Sequence, residues 1–165
     1  MLDKASPSSG DGSAGDVDYG AVGTAYSHYR RPDPRIAAYI HQALGPARTV
    51  LNVGAGAGSY EPLDREVTPV EPSASMRAQR PSSLAVAVDG TAEDLPFEDD
   101  SFDAAMTTFS VHQWKDAHAG LREVCRVTGG PVVILTYDPD LLRRFWLHEY
   151  VPELIHAEAR RYPPT

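Results

Sequence analysis

The stretch TVLNVGAGAGSYEP, residues 49–62, is a β-branched and apolar run that breaks into glycines at positions 54, 56 and 58. The run predicts a buried strand over residues 49–53. Glycines directly after it predict a loop in which the backbone turns tightly and approaches a ligand closely. Upstream, Asp33 is placed to cap a helix with Pro34 at its first position. Ile36, Tyr39, Ile40, Ala43 and Leu44 form one apolar stripe, and Gly45-Pro46 ends the helix. Downstream, a helix is expected to open near Tyr60 and Glu61, with further strands over residues 66–70, 84–88, 102–107 and 131–137. Helices are expected over residues 73–79, over 115–127 with Leu121, Val124 and Cys125 facing inward, and over 141–161 with a break at Pro152. This alternation predicts an α/β fold, a Rossmann-like doubly wound sheet of mostly parallel strands. Ligands of such sheets sit beyond the carboxyl ends of the strands, where the glycine loop falls.

The bulk numbers narrow the function. A chain of 165 residues is long enough for one domain with a real core. A net charge of -8, with Arg and Lys only in scattered positions, argues against a nucleic-acid or membrane-surface binder. The lone Cys125 excludes an internal disulfide and fits a reducing cytoplasm. No run reaches membrane-spanning length, and the N-terminus lacks the apolar core of a signal peptide. The preference for Arg over Lys, with abundant Ala, Pro and Gly, points to a GC-rich bacterial source. Residues 1–18, rich in Ser, Gly, Asp and Pro, are expected to be a disordered leader to a domain spanning 19–165.

The glycine spacing separates ligand classes. A dinucleotide fingerprint requires GxGxxG with an acid roughly 20 residues on. Here the pattern is GxGxG, and Ser59 stands where the third glycine of that fingerprint should fall. The acid that follows is Glu71, at the end of the second expected strand. A carboxylate there accepts hydrogen bonds from ribose hydroxyls of any nucleoside-containing ligand. The alternative is a plain strand-to-helix turn, which leaves the placement of Glu71 unexplained.

Residues 49–62, 70–76 and 87–97 together resemble class I S-adenosylmethionine-dependent methyltransferases of the small-molecule type, which carry a GxGxG loop and a DAExLPF-like motif. The likeness runs from Tyr19 to about Tyr137. It implies S-adenosyl-L-methionine as cofactor, held at its methionine part by the loop of Gly54, Ala55, Gly56 and Gly58. It implies ribose on Glu71, beside Pro72, and adenine on Met76, for which plain helix packing is the other reading. In the third motif, VDGTAEDLPF, the resemblance points to Thr91, Ala92 and Glu93, with Thr91 where the family commonly has Asp. Asn52 is a second departure, an amide where the first motif usually has an acid that orders the loop or approaches the cofactor's amino group.

After the fourth expected strand comes FSVHQWKD, residues 109–116. The resemblance sets Ser110 near the methionine end. His112 is the candidate catalytic base, since imidazole accepts a proton from a hydroxyl or amine near neutral pH. Its alternative role is a backbone hydrogen bond where the next helix begins. The other histidines and Cys125 show no metal-ligand spacing, so no metal is expected. Tyr26, His28, Tyr29 and Arg30 cluster where the resemblance implies an N-terminal lid, with Arg30 or Tyr19 toward the cofactor carboxylate; plain packing is the other reading.

The leading expectation is methyl transfer to a small-molecule acceptor. A non-catalytic cofactor-binding homologue, or a fragment of a longer methyltransferase, is the alternative; a nicotinamide oxidoreductase is disfavoured by the GxGxG spacing. The family usually adds a sixth and a seventh strand, and nothing after Tyr137 reads as one. The expected strand order is therefore 3-2-1-4-5, with the fifth strand an edge through which a homo-oligomer could form.

Overall fold

The computed structural model describes residues 32–160. The leader, the cluster of Tyr19, Tyr26, His28, Tyr29 and Arg30, and residues 161–165 lie outside them. The first helix, α1 (Pro34–Ala43), starts as its sequence dictates. Pro34 takes the first turn, and the Asp33 carboxylate accepts the Arg35 N–H at 2.8 Å. Its buried stripe is narrower than expected. Ile36, Ile40 and Leu44 meet the sheet, while Tyr39 is 75% exposed and Ala43 faces outward. Gly45, at φ 60°, ends the helix in the left-handed region.

Strands β1 (Thr49–Val53), β2 (Glu66–Val70), β3 (Ala104–Thr108) and β4 (Val132–Leu135) form one parallel sheet in the order β2-β1-β3-β4. β1 and β3 are buried on both faces, as central parallel strands must be. Side chains alternate across them. Leu51, Val53 and Ala105 join Val70, Leu95, Phe102, Val124 and Val127 in a core on one face. Val50, Ala104 and Met106 pack with Ile40 and Leu44 on the other. The later helices are α2 (Ala74–Ala78), α3 (Ala117–Arg126), α4 (Pro139–Leu142) and α5 (Pro152–Ala159).

Three expectations are corrected. Residues 84–88 do not form a full strand, so the expected order 3-2-1-4-5 becomes four strands with one added bridge, Val70 to Val88. The reason is Pro69. The Val88 N–H donates to the Pro69 carbonyl at 2.9 Å and the Glu71 N–H to the Val88 carbonyl at 3.0 Å. Pro69 has no N–H with which to bind the chain before Val88, and Val86 there is 91% exposed. The helix expected at Tyr60 and Glu61 is absent, because Tyr60 adopts φ 66° and Pro62 follows immediately. Cys125 is exposed rather than core, since the inward side of α3 runs through Gly120 and Val124.

The last expected helix is broken more than Pro152 alone would require. α4 is followed by a short 3-10 turn over Trp146–Glu149 before Pro152 opens α5.

Candidate functional site

The glycine loop leaves β1 between the ends of β2 and β3. Gly54, Gly56 and Gly58 have φ values of 68°, 51° and 93°, where a Cβ is strained. Gly54 also has no room for one, because a Cβ there would strike the Ser110 hydroxyl. The N–H groups of Gly54 and Ala55 both donate to the Val70 carbonyl, at 2.9 and 3.0 Å, stitching the loop to the end of β2.

Glu71 is the next residue. It is 7% exposed, and both of its oxygens are engaged: Oε2 accepts the Gly56 N–H at 2.7 Å and Oε1 the Ser73 N–H at 2.8 Å. Burial pushes its carboxyl above the usual range, while those two N–H groups and the charges of Arg77 and Arg80 pull the other way. Ser73 caps α2, with its hydroxyl accepting the Met76 N–H at 3.4 Å. α2 in turn sets Met76, 3% exposed, against the loop; its methyl lies 3.3 Å from where a Gly56 Cβ would be. Pro72 stands between Glu71 and Ser73, and the Arg77 guanidinium holds its carbonyl at 2.8 Å.

The other wall comes from β3. Phe109, at φ 53°, turns the chain so that Ser110 folds back beneath Gly54. The Ser110 hydroxyl donates to the Val53 carbonyl at 3.0 Å and pairs with the Thr107 hydroxyl. His112 lies in the 3-10 turn Val111–Gln113 that follows, at the carboxyl end of the sheet and half-buried. Trp114 bridges the loop and α3: its Nε1 is 3.7 Å from a Gly54 Cβ position, and it fits only because residue 120 is glycine.

Not all of the expected residues meet on the open side of this cleft. Ala92 is packed into the core, beside the Gly120–Trp114 contact. Thr91 pairs with Asp94 in a tight turn. Glu93 accepts the Asp116 N–H at 3.1 Å, tying that turn to the start of α3. Asn52 is fully buried on the α1 side of β1, and its amide donates to Glu61 Oε1 at 2.9 Å.

That contact exposes two residues the sequence reading passed over. The side chains of Glu61 and Arg80 are 1% and 4% exposed and form an ion pair at 2.8 Å under the glycine loop. From sequence Glu61 is expected to open a helix, and Arg80 falls just after the expected helix 73–79, before Pro81. The available signal was a charged residue within each of two otherwise packed stretches, and it named no partner.

Among the described residues no group of three or more His, Cys, Asp or Glu side chains is placed to hold a metal ion. No helix among them is long and apolar enough to cross a membrane.

Known proteins resemble this chain in sequence and fold. A methyltransferase domain family matches residues 51–134, which is half of the chain. The uncharacterized methyltransferase YcgJ of Bacillus subtilis is 35% identical over 89 residues, 47% of this chain and 35% of its own. A demethylmenaquinone methyltransferase of Mycolicibacterium paratuberculosis is 35% identical over 100 residues, 57% of this chain and 44% of its own. A solved structure from Anabaena variabilis, assigned as a methyltransferase of an antibiotic biosynthesis pathway, superimposes with a TM-score of 0.72 at 31% identity. That match covers 81% of this chain and 57% of the other. The chain thus spans less than half the length of these two curated relatives. The sheet, the loop and the sequence matches agree: the chain belongs to the methyltransferase domain family, the class I S-adenosylmethionine-dependent methyltransferases.

Proposed function

We propose that this chain binds S-adenosylmethionine across the glycine loop and passes its methyl group to a small-molecule acceptor. Glu71 carries the reading. A carboxylate has about four acceptor sites, and the two N–H groups on Glu71 leave room for the two hydroxyls of a ribose. The left-handed backbone at Gly54, Gly56 and Gly58, with Ala55 buried between them, supports close approach by the cofactor's methionine part. Met76 supports an apolar seat for adenine beside Pro72, while Thr91 and Ala92 act from behind it, through the 91–94 turn and the core. Asn52, Glu93 and Ser110 serve from behind, holding the loop, the 91–94 turn and α3 in place.

When bound, this cofactor supplies an electrophilic methyl group. The protein's part is to hold the acceptor in line with it and to exclude water, which alone accounts for much of the acceleration in such a displacement. His112 is proposed as the base that takes a proton from the acceptor's hydroxyl or amine, which its place after β3 supports. The demethylmenaquinone methyltransferase among the relatives favours an acceptor of small-molecule size.

The second reading is cofactor binding without turnover by this chain alone. It is favoured by the half-covered β4 and the exposed apolar surface that follows it, where an acceptor pocket needs walls.

Calorimetric titration with S-adenosylhomocysteine tests the binding. Glu71→Ala is expected to lose about 1.5–3 kcal/mol, more than tenfold in affinity, through loss of a charge-assisted contact. Unchanged affinity in a folded Glu71→Ala protein overturns the assignment. A screen of acceptors with labelled cofactor separates the two readings. His112→Ala is expected to lower turnover and leave homocysteine-analogue binding intact.

A further inference from the structure

The loop that follows β1 has no helix behind it. After Gly58 the chain runs through Tyr60 at φ 66° and Pro62 directly to β2, so no helix opens from the loop, and the one helical contact on Gly56 is the apolar methyl of Met76 from α2. What lies behind it is the Glu61–Arg80 pair. Arg80 Nη2 donates to both oxygens of Glu61, at 3.0 and 2.8 Å. Its Nη1 donates to the Gly56 carbonyl at 3.2 Å, and its Nε to the Ala85 carbonyl at 3.1 Å. Glu61 also accepts the Asn52 amide at 2.9 Å. Gly56 is therefore held through both peptide groups that flank it, the following one by Arg80 on its carbonyl and the preceding one by Glu71 on its N–H.

A buried ion pair is a poor way to gain stability. Removing two charges from water costs roughly what their attraction returns, and apolar replacements of similar volume are often as stable or more so. The pair's geometry serves a different end. A planar guanidinium with several fixed donors can bind Glu61, Gly56 and Ala85 at once, which a lysine ammonium cannot do in the same plane. A Cβ at Gly58 would lie 3.3 Å from Arg80 and 3.4 Å from Glu61, so the same pair also forms the floor of the loop.

We propose that Glu61 and Arg80 are positioning residues for the cofactor, fixing the backbone at Gly56 through its carbonyl so that the Gly56 N–H holds the Glu71 carboxylate toward the ribose. This rests on the reading that the loop and Glu71 bind S-adenosylmethionine. The charged groups around Glu71 are Arg77 and Arg80 from the α2 side, with Asp89 paired to Arg77 and Glu61 paired to Arg80. With the Gly56 peptide released, Glu71 loses an N–H that favours its ionised form. Ribose binding needs the ionised form, so affinity must then begin to fall at a higher pH as the solution is acidified.

The test is calorimetric titration of S-adenosylhomocysteine at several pH values, alongside thermal melts. The proteins are wild type, Arg80→Lys, and the double variant Glu61→Met with Arg80→Met. The double variant is expected to melt below wild type, because the buried Asn52 amide and the Gly56 and Ala85 carbonyls lose their partners. While still folded at the titration temperature, it is expected to bind about tenfold more weakly or worse, as small misplacements in a site do. Its acid limb of binding is expected to move to higher pH. Arg80→Lys is expected to show a smaller loss of affinity with a near-native melt. A folded double variant with wild-type affinity and an unmoved acid limb overturns the proposal. If the double variant does not fold, Arg80→Lys decides it alone: weaker binding with a near-native melt supports the proposal, and unchanged binding overturns it. Wild type that binds no homocysteine analogue overturns instead the cofactor reading on which the proposal rests.

Discussion

At position 52 an amide stands beside a buried carboxylate, and its chemistry follows from that neighbour. Asn52 donates to Glu61 at 2.9 Å, and its own oxygen takes no hydrogen bond from any described residue. An Asp here, the residue common in the family, would set a second negative charge against Glu61 with only Arg80 between them. The amide at 52 and the acid at 61 are thus a matched pair. Asn52→Asp is expected to cost about 3–5 kcal/mol at neutral pH, the range for an uncompensated buried charge. Two close carboxylates hold a proton in the folded state that the unfolded chain releases, so this loss shrinks as pH falls. Urea unfolding at neutral and mildly acidic pH measures both; equal stability to wild type at neutral pH would show that the contact carries no energy. The departure from the family pattern was visible in the sequence. Its cause was not, because residues 52, 61 and 80 meet only in the fold.

Among the elements, the joint between β1 and β3 depends on one side chain. The Asp103 carboxylate accepts the N–H groups of Arg48 and Thr49 at 2.8 and 3.0 Å, and the Thr49 hydroxyl accepts the Asp103 N–H at 2.9 Å. These bonds join the entry ends of the two central strands. They also hold the carboxyl below its ordinary value of 3.8, chiefly through the Thr49 and Arg48 N–H groups. A depressed carboxyl stabilises the fold above its unfolded value, and that contribution is lost as pH falls through the folded one. Asp103→Asn is therefore expected to melt below wild type at neutral pH. The gap is expected to close as the solution is acidified well below 3.8, which scanning calorimetry over that range checks. A gap independent of pH would assign the effect to packing instead. The cap at Asp33 was legible, because a cap is a local matter of a few residues; Ser73, expected as the first residue of its helix, caps it instead, and Pro152, expected as a break, opens one. The absence of a helix after the glycine loop was not legible, since a left-handed Tyr60 and a buried Glu61 answer to distant partners.

At the scale of the whole molecule, the described residues end the sheet at β4. Among the described residues β4 pairs only with β3, and Ile134 on it is 42% exposed. Beyond it Phe145, Trp146, Tyr150 and Leu154 are all exposed, with Trp146 in ring contact with both aromatic neighbours. A strand edge unpaired among the described residues and a run of exposed apolar side chains each favour association. The purified 165-residue chain is expected to form dimers or larger assemblies, seen as a concentration-dependent mass in light scattering. A monodisperse monomer with full methyl-transfer activity would mean that α4 and α5 protect this side on their own, and that the acceptor pocket is complete within one chain.

The amino-acid sequence by itself determined the alternation of strands and helices, the glycine loop, and Glu71 at the end of β2. Each rests on short-range rules: side-chain periodicity, the dihedral freedom of glycine, and an acid at a strand end. The tertiary structure decided what those rules do not reach. It reduced residues 84–88 to one bridge because Pro69 lacks the N–H that a longer ladder needs. It turned Cys125 outward by the phase of α3. It also buried Glu61 against Arg80, 19 residues away in sequence. A charge is read from sequence as solvated until a partner is found for it, and only the folded chain brings that partner within hydrogen-bonding distance.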